Sequence, residues 1–259
     1  MVSFSAKGKS MAYETILVEH TNGVATIAMN RPVVLNAITT TMLTELKQAV
    51  DHAGASQDIG VVVLTGVGRA FSAGVDLKAL GKLPLNNGAI GPILDDPARA
   101  LITSIQTIPK VVIAKVNGFC FTGALELALA CDLVIIAEEA KLGDTHAKWG
   151  LRPTWGMSAR LPQAVGFRKA RELSFTADTF TGRDSAAWGI ANRAVPLAEL
   201  DAAVQTLTEK ILTNSRDSLA AYKVLYNQGS GKTVGEAVAF EEASVFPISD
   251  ANERVEKFR

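Results

Sequence analysis

The stretch VVIAKVNGFCFTGALELALACDLVIIA, residues 111–137, carries the pattern that decides the fold. Its β-branched run at residues 111–116 predicts a strand, residues 122–130 predict a helix, and residues 132–137 predict another strand. Strands that alternate with helices are typical of an α/β core with a largely parallel sheet. We therefore predict an α/β fold.

The residues on the N-terminal side begin with a hairpin and then extend this alternation. Asn22-Gly23, the strongest short signal for a β-hairpin, separates strand-like runs at residues 15–18 and 24–29. A helix ending near Gly54 is predicted next, because the apolar residues fall on one helical face at Met42, Leu43, Leu46 and Val50. The same reasoning predicts a buried strand at residues 60–65 and a helix at residues 98–108.

The C-terminal third is chiefly helical, with helical patterns at residues 197–212, 218–226 and 234–245. We accordingly expect three parts in the chain. These are a flexible leader at residues 1–10, an α/β core with the active site at residues 11–195, and a helical C-terminal region at residues 196–259.

Composition narrows the class of protein. Basic and acidic residues balance at 26 each, so we expect no general attraction to nucleic acid or to an anionic membrane, and any anionic ligand must be bound locally. Cys120 and Cys131 are the two cysteines, and both lie in apolar stretches, which favours a reducing compartment and, by default, the cytoplasm. The apolar runs are shorter than the roughly 18–20 residues that a membrane span needs.

Two loops after predicted strands are suited to present backbone amides to a ligand. Residues 70–77, AFSAGVDL, contain small residues and Gly74, which allow close approach to the main chain. Residues 117–126, NGFCFTGALE, lead into a helix whose first amides, beside Gly123, have no partner within the helix and favour a developing anion. Two such strand ends side by side would form an oxyanion hole, a pair of N–H donors for a negatively charged oxygen.

Glu126 lies one turn into this helix, among alanine and leucine residues. A carboxylate without partners is costly to bury there. Two interpretations remain open from the segment alone: Glu126 is a functional acid, or it is a partly exposed, hydrogen-bonded acid at a helix start.

Two other enzyme classes fit less well. Gly66-Val67-Gly68 after a strand suggests a dinucleotide site, but Phe71 occupies the position of the third glycine. A serine hydrolase would need a nucleophile elbow, and residues 156–160, GMSAR, lack its closing glycine.

Several motifs, in order and with matching spacing, resemble the crotonase (enoyl-CoA hydratase/isomerase) superfamily. The first is NRPVVLNA at residues 30–37, the second is AFSAGVDL at residues 70–77, and the third is the segment from Asn117 to Ala128 followed by Cys131-Asp132. GLRP at residues 150–153, RLP at residues 160–162 and WGIAN at residues 188–192 extend the resemblance, which covers about residues 13–259.

This resemblance implies a fold and an assembly. The fold would be a spiral of stacked β-β-α units followed by a helical C-terminal region that packs in trimers. The whole protein would be a homotrimer or a hexamer made of two trimers.

The resemblance also implies an acyl-CoA thioester substrate and a set of site residues. The amides of Val75 and Gly123 would form the oxyanion hole, and Glu126 would be an acid/base. Contacts with the substrate or its coenzyme A portion are implied for Ala37, Ala73, Val75, Asp76, Leu77, Lys78 and Gly123. Lys223 resembles a family lysine on a late helix that can reach the ligand of a neighbouring subunit. Arg31, Lys78 and Lys82 are candidates to meet the phosphates. No metal or separate cofactor is implied, since coenzyme A is part of the substrate.

One position departs from the family pattern. Where hydratases carry a second catalytic glutamate, this chain has His146, and Asp144 lies two residues earlier. Histidine can activate water or deliver a proton near neutral pH, so we predict an enoyl-CoA hydratase with Glu126 and His146 as the catalytic pair. Asp144 would orient the imidazole or act as a base itself.

Alternatives stay open at this point. The chain could catalyse another crotonase reaction, such as enoyl-CoA isomerisation, acyl-CoA hydrolysis or a lyase reaction, or it could bind acyl-CoA without catalysis. Trp149 and Trp155 could shape the acyl pocket or pack in the core.

Overall fold

Two β-sheets form the centre of the protein in its computed structural model, which describes residues 13–79, 81, 85 and 87–259. The leader expected at residues 1–10 lies outside the described residues. The ten strands of these ranges are β1 (Ile16–Thr21), β2 (Val24–Met29), β3 (Val61–Gly66), β4 (Ala70–Ser72), β5 (Val111–Val116), β6 (Phe119–Phe121), β7 (Leu133–Ala137), β8 (Lys141–Gly143), β9 (Phe180–Thr181) and β10 (Arg193–Val195).

Helices cover the sheets and form the C-terminal region. They are α1 (Thr40–Ala55), α2 (Pro92–Thr107), α3 (Gly123–Ala130), α4 (Met157–Thr176), α5 (Gly182–Trp188), α6 (Leu200–Leu212), α7 (Arg216–Gly229), α8 (Val234–Ala243) and α9 (Ala251–Phe258). Short 3-10 helices lie at Pro32–Val34, Ala147–Trp149 and Leu197–Glu199.

The two sheets are built by a repeating unit. Their strand orders are β1-β2-β3-β5-β7-β10 and β4-β6-β8-β9. Each of the pairs β3/β4, β5/β6 and β7/β8 adds one strand to the first sheet and a three-residue strand to the second, and a helix then follows. The pairings within β3-β5-β7 and within β4-β6-β8 are parallel. This arrangement is the predicted spiral of stacked β-β-α units.

Local sequence explains the longer elements. Asn22 and Gly23 both have positive φ, at 50° and 80°, as a two-residue hairpin turn requires, and they join β1 to β2. Thr39 caps α1 by accepting a hydrogen bond from the amide of Met42 at 3.2 Å. Strand β3 is buried along its whole length, in agreement with its β-branched sequence.

The residue patterns did not show the second sheet, which only the family resemblance implied, and they placed the start of α2 too late. Strands β4, β6, β8 and β9 have only two or three residues each, too few to show an alternating pattern. Helix α2 begins at Pro92 rather than at residue 98, because proline suits the first helical position, where no backbone N–H is needed.

Helix α7 is attached to the core through the buried ammonium of Lys223. Lys223 of α7 donates hydrogen bonds to the carbonyl oxygens of Ile105 and Lys110 and to Asp132 Oδ2, at 2.7, 2.9 and 2.8 Å.

Among the described residues, no helix has both the length and the apolar character needed to cross a membrane.

Candidate active site

A cavity of about 500 Å³ opens where the strands of the second sheet end. Parallel strands bring their carboxyl ends to the same edge of a sheet, so the segments after β4, β6 and β8 meet here. The predicted site residues that line the cavity are Ala37, Ala73, Val75, Asp76, Leu77, Lys78, Gly123, Glu126 and His146. Among the described residues, Asp144, Lys223 and Arg31 were also predicted but are not part of the lining.

Two backbone amides lie in this cavity at the positions predicted for the oxyanion hole. Val75 forms a parallel bridge with Ile38, in which Ile38 N–H donates to Gly74 and Asp76 N–H donates to Ile38. The Val75 amide itself has no acceptor among the residues that the structure describes. Gly123 is the first residue of α3, so its N–H lacks an intrahelical partner and sits at the positive end of the helix dipole.

The turn before Gly123 is conformationally strained. Thr122 has φ 54° and ψ −112°, which a β-branched residue rarely adopts. Its hydroxyl lies 2.6 Å from the hydroxyl of Thr145, the residue before His146. Gly123 also needs to be glycine, since a Cβ there would lie 2.5 Å from Cζ3 of Trp155. The sequence offered no sign of this strain, which is typical of functional sites.

Main-chain amides fix the carboxylate of Glu126, a residue only 1% exposed. Its Oε1 accepts hydrogen bonds from the amides of Trp155 and Met157 at 3.0 and 2.9 Å. Burial raises the pKa of this carboxyl; the amides and His146 oppose the rise and Asp144 adds to it. The other oxygen, Oε2, lies 3.6 Å from Nε2 of His146.

Gly156 makes the double amide contact to Glu126 feasible. It lies between the two donors with φ 113°, in a region that side chains rarely adopt. A Cβ at this position would also lie 1.9 Å from Nη1 of Arg160, and that Nη1 donates to the Trp155 carbonyl at 2.8 Å.

Side chains, by contrast, fix the imidazole of His146. Its Nδ1 lies 2.6 Å from Oδ1 of Asp144, while Oδ2 of Asp144 accepts a hydrogen bond from Ser174 at 2.7 Å. Burial alone would raise the pKa of Asp144, but hydrogen bonds from His146 and Ser174 hold it below its usual value. Of the two roles predicted for Asp144, its position behind the ring fits orientation of the imidazole.

A buried indole closes the cavity beside Glu126 and Gly123. Trp155 is 5% exposed, and its Nε1 donates to Oδ1 of Asp95 at 2.9 Å. Asp95 also accepts hydrogen bonds from the Thr154 hydroxyl and the Gly91 amide, at 2.8 and 3.1 Å. The role of Trp155 was open from the sequence, and Asp95 was not among the predicted site residues, although a carboxylate on the apolar face of α2 is an unusual feature.

The mouth of the cavity carries charged groups. Lys78 and Arg69 are exposed there. Arg31 is engaged within the protein, because its Nη1 contacts Asp76 Oδ2 at 2.9 Å and the Ala37 carbonyl at 2.5 Å. Lys82 lies outside the described residues. Lys78 is therefore the predicted phosphate contact that is both exposed and at the cavity.

Lys223 is not brought to the cavity. It is 7% exposed, and its three hydrogen bonds to Ile105, Lys110 and Asp132 occupy all three N–H donors of the ammonium. Within this chain the ammonium anchors α7 to the core. A contact with the coenzyme A of a neighbouring subunit stays a prediction.

Comparison with known proteins gives one consistent family. The family model described as enoyl-CoA hydratase/isomerase matches residues 19–256. The probable peroxisomal enoyl-CoA hydratase 1 of Arabidopsis thaliana is 32% identical over 224 residues, which are 86% of this chain and 82% of that protein. Crotonyl-CoA hydratase of Syntrophomonas wolfei is 31% identical over 236 residues, 89% of this chain and 88% of that protein.

Solved structures agree with these relatives. The crystal structure of enoyl-CoA hydratase from Bacillus anthracis superposes with a TM-score of 0.83 at 29% identity and covers 88% of each chain. The predicted fold class is thereby confirmed.

Proposed function

Because this chain belongs to the enoyl-CoA hydratase/isomerase family, it is an acyl-CoA-processing enzyme of the hydro-lyase type, and we propose that it adds water in syn fashion to a 2-enoyl-CoA. One observation carries the proposal. Glu126 Oε2 and His146 Nε2 face each other at 3.6 Å in the cavity that also contains the free amides of Val75 and Gly123.

The two amides account for substrate activation. A thioester oxygen placed between the N–H groups of Val75 and Gly123 would accept both hydrogen bonds. Addition at C3 shifts negative charge onto this oxygen as an enolate, and donors fixed in advance stabilise that charge more than they stabilise the uncharged substrate. The N-terminus of α3 adds the positive end of its dipole.

The facing pair accounts for the proton transfers. A water held by both groups loses a proton to Nε2 of His146, and its oxygen bonds to C3 of the substrate. In the proposed cycle Glu126 is the protonated partner, since burial raises its pKa and so favours the protonated form, and it delivers its Oε2 proton to C2. The imidazolium then returns a proton to Glu126 across the 3.6 Å gap, which restores the starting state. Both groups act from one side of the substrate, so the addition is syn.

The remaining parts of the proposal concern the ligand and the cofactor. Lys78 and the main chain of residues 75–78 meet coenzyme A, and Ala37 and Ala73 line its path. The proposed reaction uses no metal or separate cofactor, because backbone amides carry the enolate charge; turnover should therefore survive a chelating agent.

We also propose a homotrimer, alone or paired as a hexamer, assembled through the C-terminal helices. Large apolar residues are exposed there, including Tyr222, Tyr226, Val234, Val238 and Phe258. Cytoplasmic location stays a prediction, since the Arabidopsis relative is named as peroxisomal. A role in fatty-acid metabolism is part of the same proposal.

A screen of coenzyme A thioesters tests the function. Short and long 2-enoyl, 3-enoyl and aryl-enoyl forms are incubated with the protein, and the products are read by mass. Hydration gives a product heavier by one water from 2-enoyl substrates. An unchanged mass with a moved double bond indicates isomerisation, free coenzyme A indicates hydrolysis, and either one in place of hydration rejects the proposal.

His146→Ala tests the two-residue mechanism. We expect turnover to fall by roughly 100- to 10,000-fold while substrate affinity is kept, because the water loses its base. A folded His146→Ala protein that retains most of its turnover would show that Glu126 acts alone.

A further inference from the structure

The imidazole of His146 can work as a base only if its free nitrogen faces the cavity. Neutral imidazole carries one proton, so one ring nitrogen is a donor and the other an acceptor. Nε2 lines the cavity side, 3.6 Å from Glu126, and Nδ1 points at Asp144. The active tautomer is therefore the one with the proton on Nδ1.

Asp144 selects this tautomer because it is an ionised acceptor. Its Oδ1 lies 2.6 Å from Nδ1 and 3.3 Å from the backbone N–H of His146, and the residue is only 3% exposed. A carboxylate accepts hydrogen bonds and cannot donate them, so the ring must place its proton on Nδ1. A protonated Asp144 could donate to Nδ1 and would allow the opposite tautomer.

Ser174 holds Asp144 in the ionised form and in this orientation. Its hydroxyl, on the last turn of α4, donates to Oδ2 of Asp144 at 2.7 Å. Without that donor, Oδ2 would be buried with no hydrogen-bond partner among the described residues, which disfavours the charge. The charged and titratable groups around the ring are Asp144 and Glu126, with Arg160 of α4 acting on Glu126.

A bend in α4 aims this hydroxyl. Gly166 interrupts the helix with φ 76° and ψ 157°, so the segment that carries Ser174 takes a different direction from the segment that begins at Met157. The first segment supplies the amide to Glu126 and the second supplies the hydroxyl to Asp144. Helix α4 thus contacts Glu126 directly and contacts His146 indirectly, through Asp144.

We infer that Ser174 is a positioning residue, which fixes His146 through Asp144 in the tautomer that leaves Nε2 unprotonated. The catalytic part of this inference rests on the proposed hydration, but the tautomer itself does not. Ring nitrogens with and without a proton differ in ¹⁵N chemical shift, so NMR reads the tautomer with no substrate present.

The chain suits this measurement because it has three histidines. His20 and His52 are exposed and stack on each other, and they serve as internal references. Spectra of ¹⁵N-histidine-labelled protein are recorded at rising alkaline pH until the nitrogen shifts no longer change, so that neutral rings are observed. The signals that vanish in His146→Ala belong to His146. We expect its proton on Nδ1.

Ser174→Ala should raise the Nε2–H population of His146 several-fold. It should also lower kcat by roughly 10- to 100-fold, because a hydrogen bond to a charged group is lost, and it should leave KM unchanged. Ser174→Thr keeps the hydroxyl and should restore both readouts. Thr176→Ala is the matched control, because its hydroxyl donates to Glu172 within the same helix, and it should change neither readout.

Two results would overturn the inference. One is a wild-type His146 with its proton on Nε2; the other is a Ser174→Ala protein with unchanged nitrogen shifts. If Ser174→Ala does not fold, Ser174→Cys, with a weaker donor, should give an intermediate shift. If the thioester screen finds no hydration, the proposed function fails, while the nitrogen shifts still decide whether Ser174 fixes the ring.

Discussion

Glu126 and Asp144 are two buried carboxylates on opposite sides of one imidazole, and their pKa values move in opposite directions. They are 1% and 3% exposed, so burial does not distinguish them. Asp144 receives donors on both oxygens, whereas Glu126 receives two amides on Oε1 and leaves Oε2 to face His146. The placement of hydrogen-bond donors, rather than the depth of burial, distinguishes a carboxylate that stays ionised from one that can exchange a proton.

The largest effect expected from this contrast is on turnover. Glu126→Gln keeps the shape and the amide contacts of the side chain but removes the proton that it exchanges. We expect kcat to fall by roughly 100- to 10,000-fold. Single-turnover hydration of a 2-enoyl-CoA measures it, and an unchanged rate would remove Glu126 from the mechanism.

A smaller effect is expected when the support of Glu126 is disturbed. Gly156→Ala should destabilise the protein by about 1–3 kcal/mol, because a side chain at φ 113° is strained, and it should also lower kcat by shifting the Trp155 and Met157 amides. Denaturant unfolding and kinetics measure the two effects.

Gly231→Ala is the control, since Gly231 has φ 78° with no atom near its added Cβ and lies outside the cavity. It should lower the stability of the protein but leave kcat unchanged. Equal loss of kcat in both variants contradicts this reading.

The smallest expected effect is on thermal stability, where removing the charge of Glu126 and removing the charge of Asp144 should shift the Tm in opposite directions. The raised pKa of Glu126 contributes stability that is full below its unfolded value and is lost as pH rises through the folded pKa. The lowered pKa of Asp144 contributes stability above its unfolded value that is lost as pH falls through the folded pKa. At neutral pH, Glu126→Gln should therefore raise the Tm and Asp144→Asn should lower it.

Thermal unfolding of both variants at pH 7 and at pH 4 checks these signs. Toward pH 4, the gain from Glu126→Gln should shrink, because the wild-type carboxyl is then protonated in both the folded and the unfolded chain. Two Tm shifts of the same sign at pH 7 would show that the two environments do not differ as described.

Sequence predicted the long elements of the fold well, because they bury regular patterns. The hairpin at Asn22-Gly23, helix α1 and strands β3, β5 and β7 lie where periodicity and turn signals placed them. The second sheet could not be predicted from residue patterns, because strands of two or three residues are too short to show an alternation of apolar and polar residues. Its position is set by pairing with neighbours that are distant in sequence.

Some residues of the candidate site were predicted and others were not, and the reason is again the distance along the chain between residues that contact each other. Gly123 and Glu126 share one segment with a recognisable pattern, so both could be named. Ser174 lies 30 residues from Asp144, and Asp95 lies 60 residues from Trp155. The acid on the apolar face of α2 marks Asp95 as unusual, but no local pattern predicts either contact. Lys223 shows the converse, because a matching motif did not reveal that its ammonium is buried in an ion pair.

The spiral has a consequence for how this chemistry can change by mutation. Val75 follows β4, Gly123 and Glu126 follow β6, and His146 follows β8, so each of three successive turns contributes a separate part of the proposed reaction centre. A side chain on one turn can therefore be exchanged without moving the backbone of the others. On the proposed function, such an exchange at the position of His146 would alter the proton transfers and leave the predicted thioester site intact.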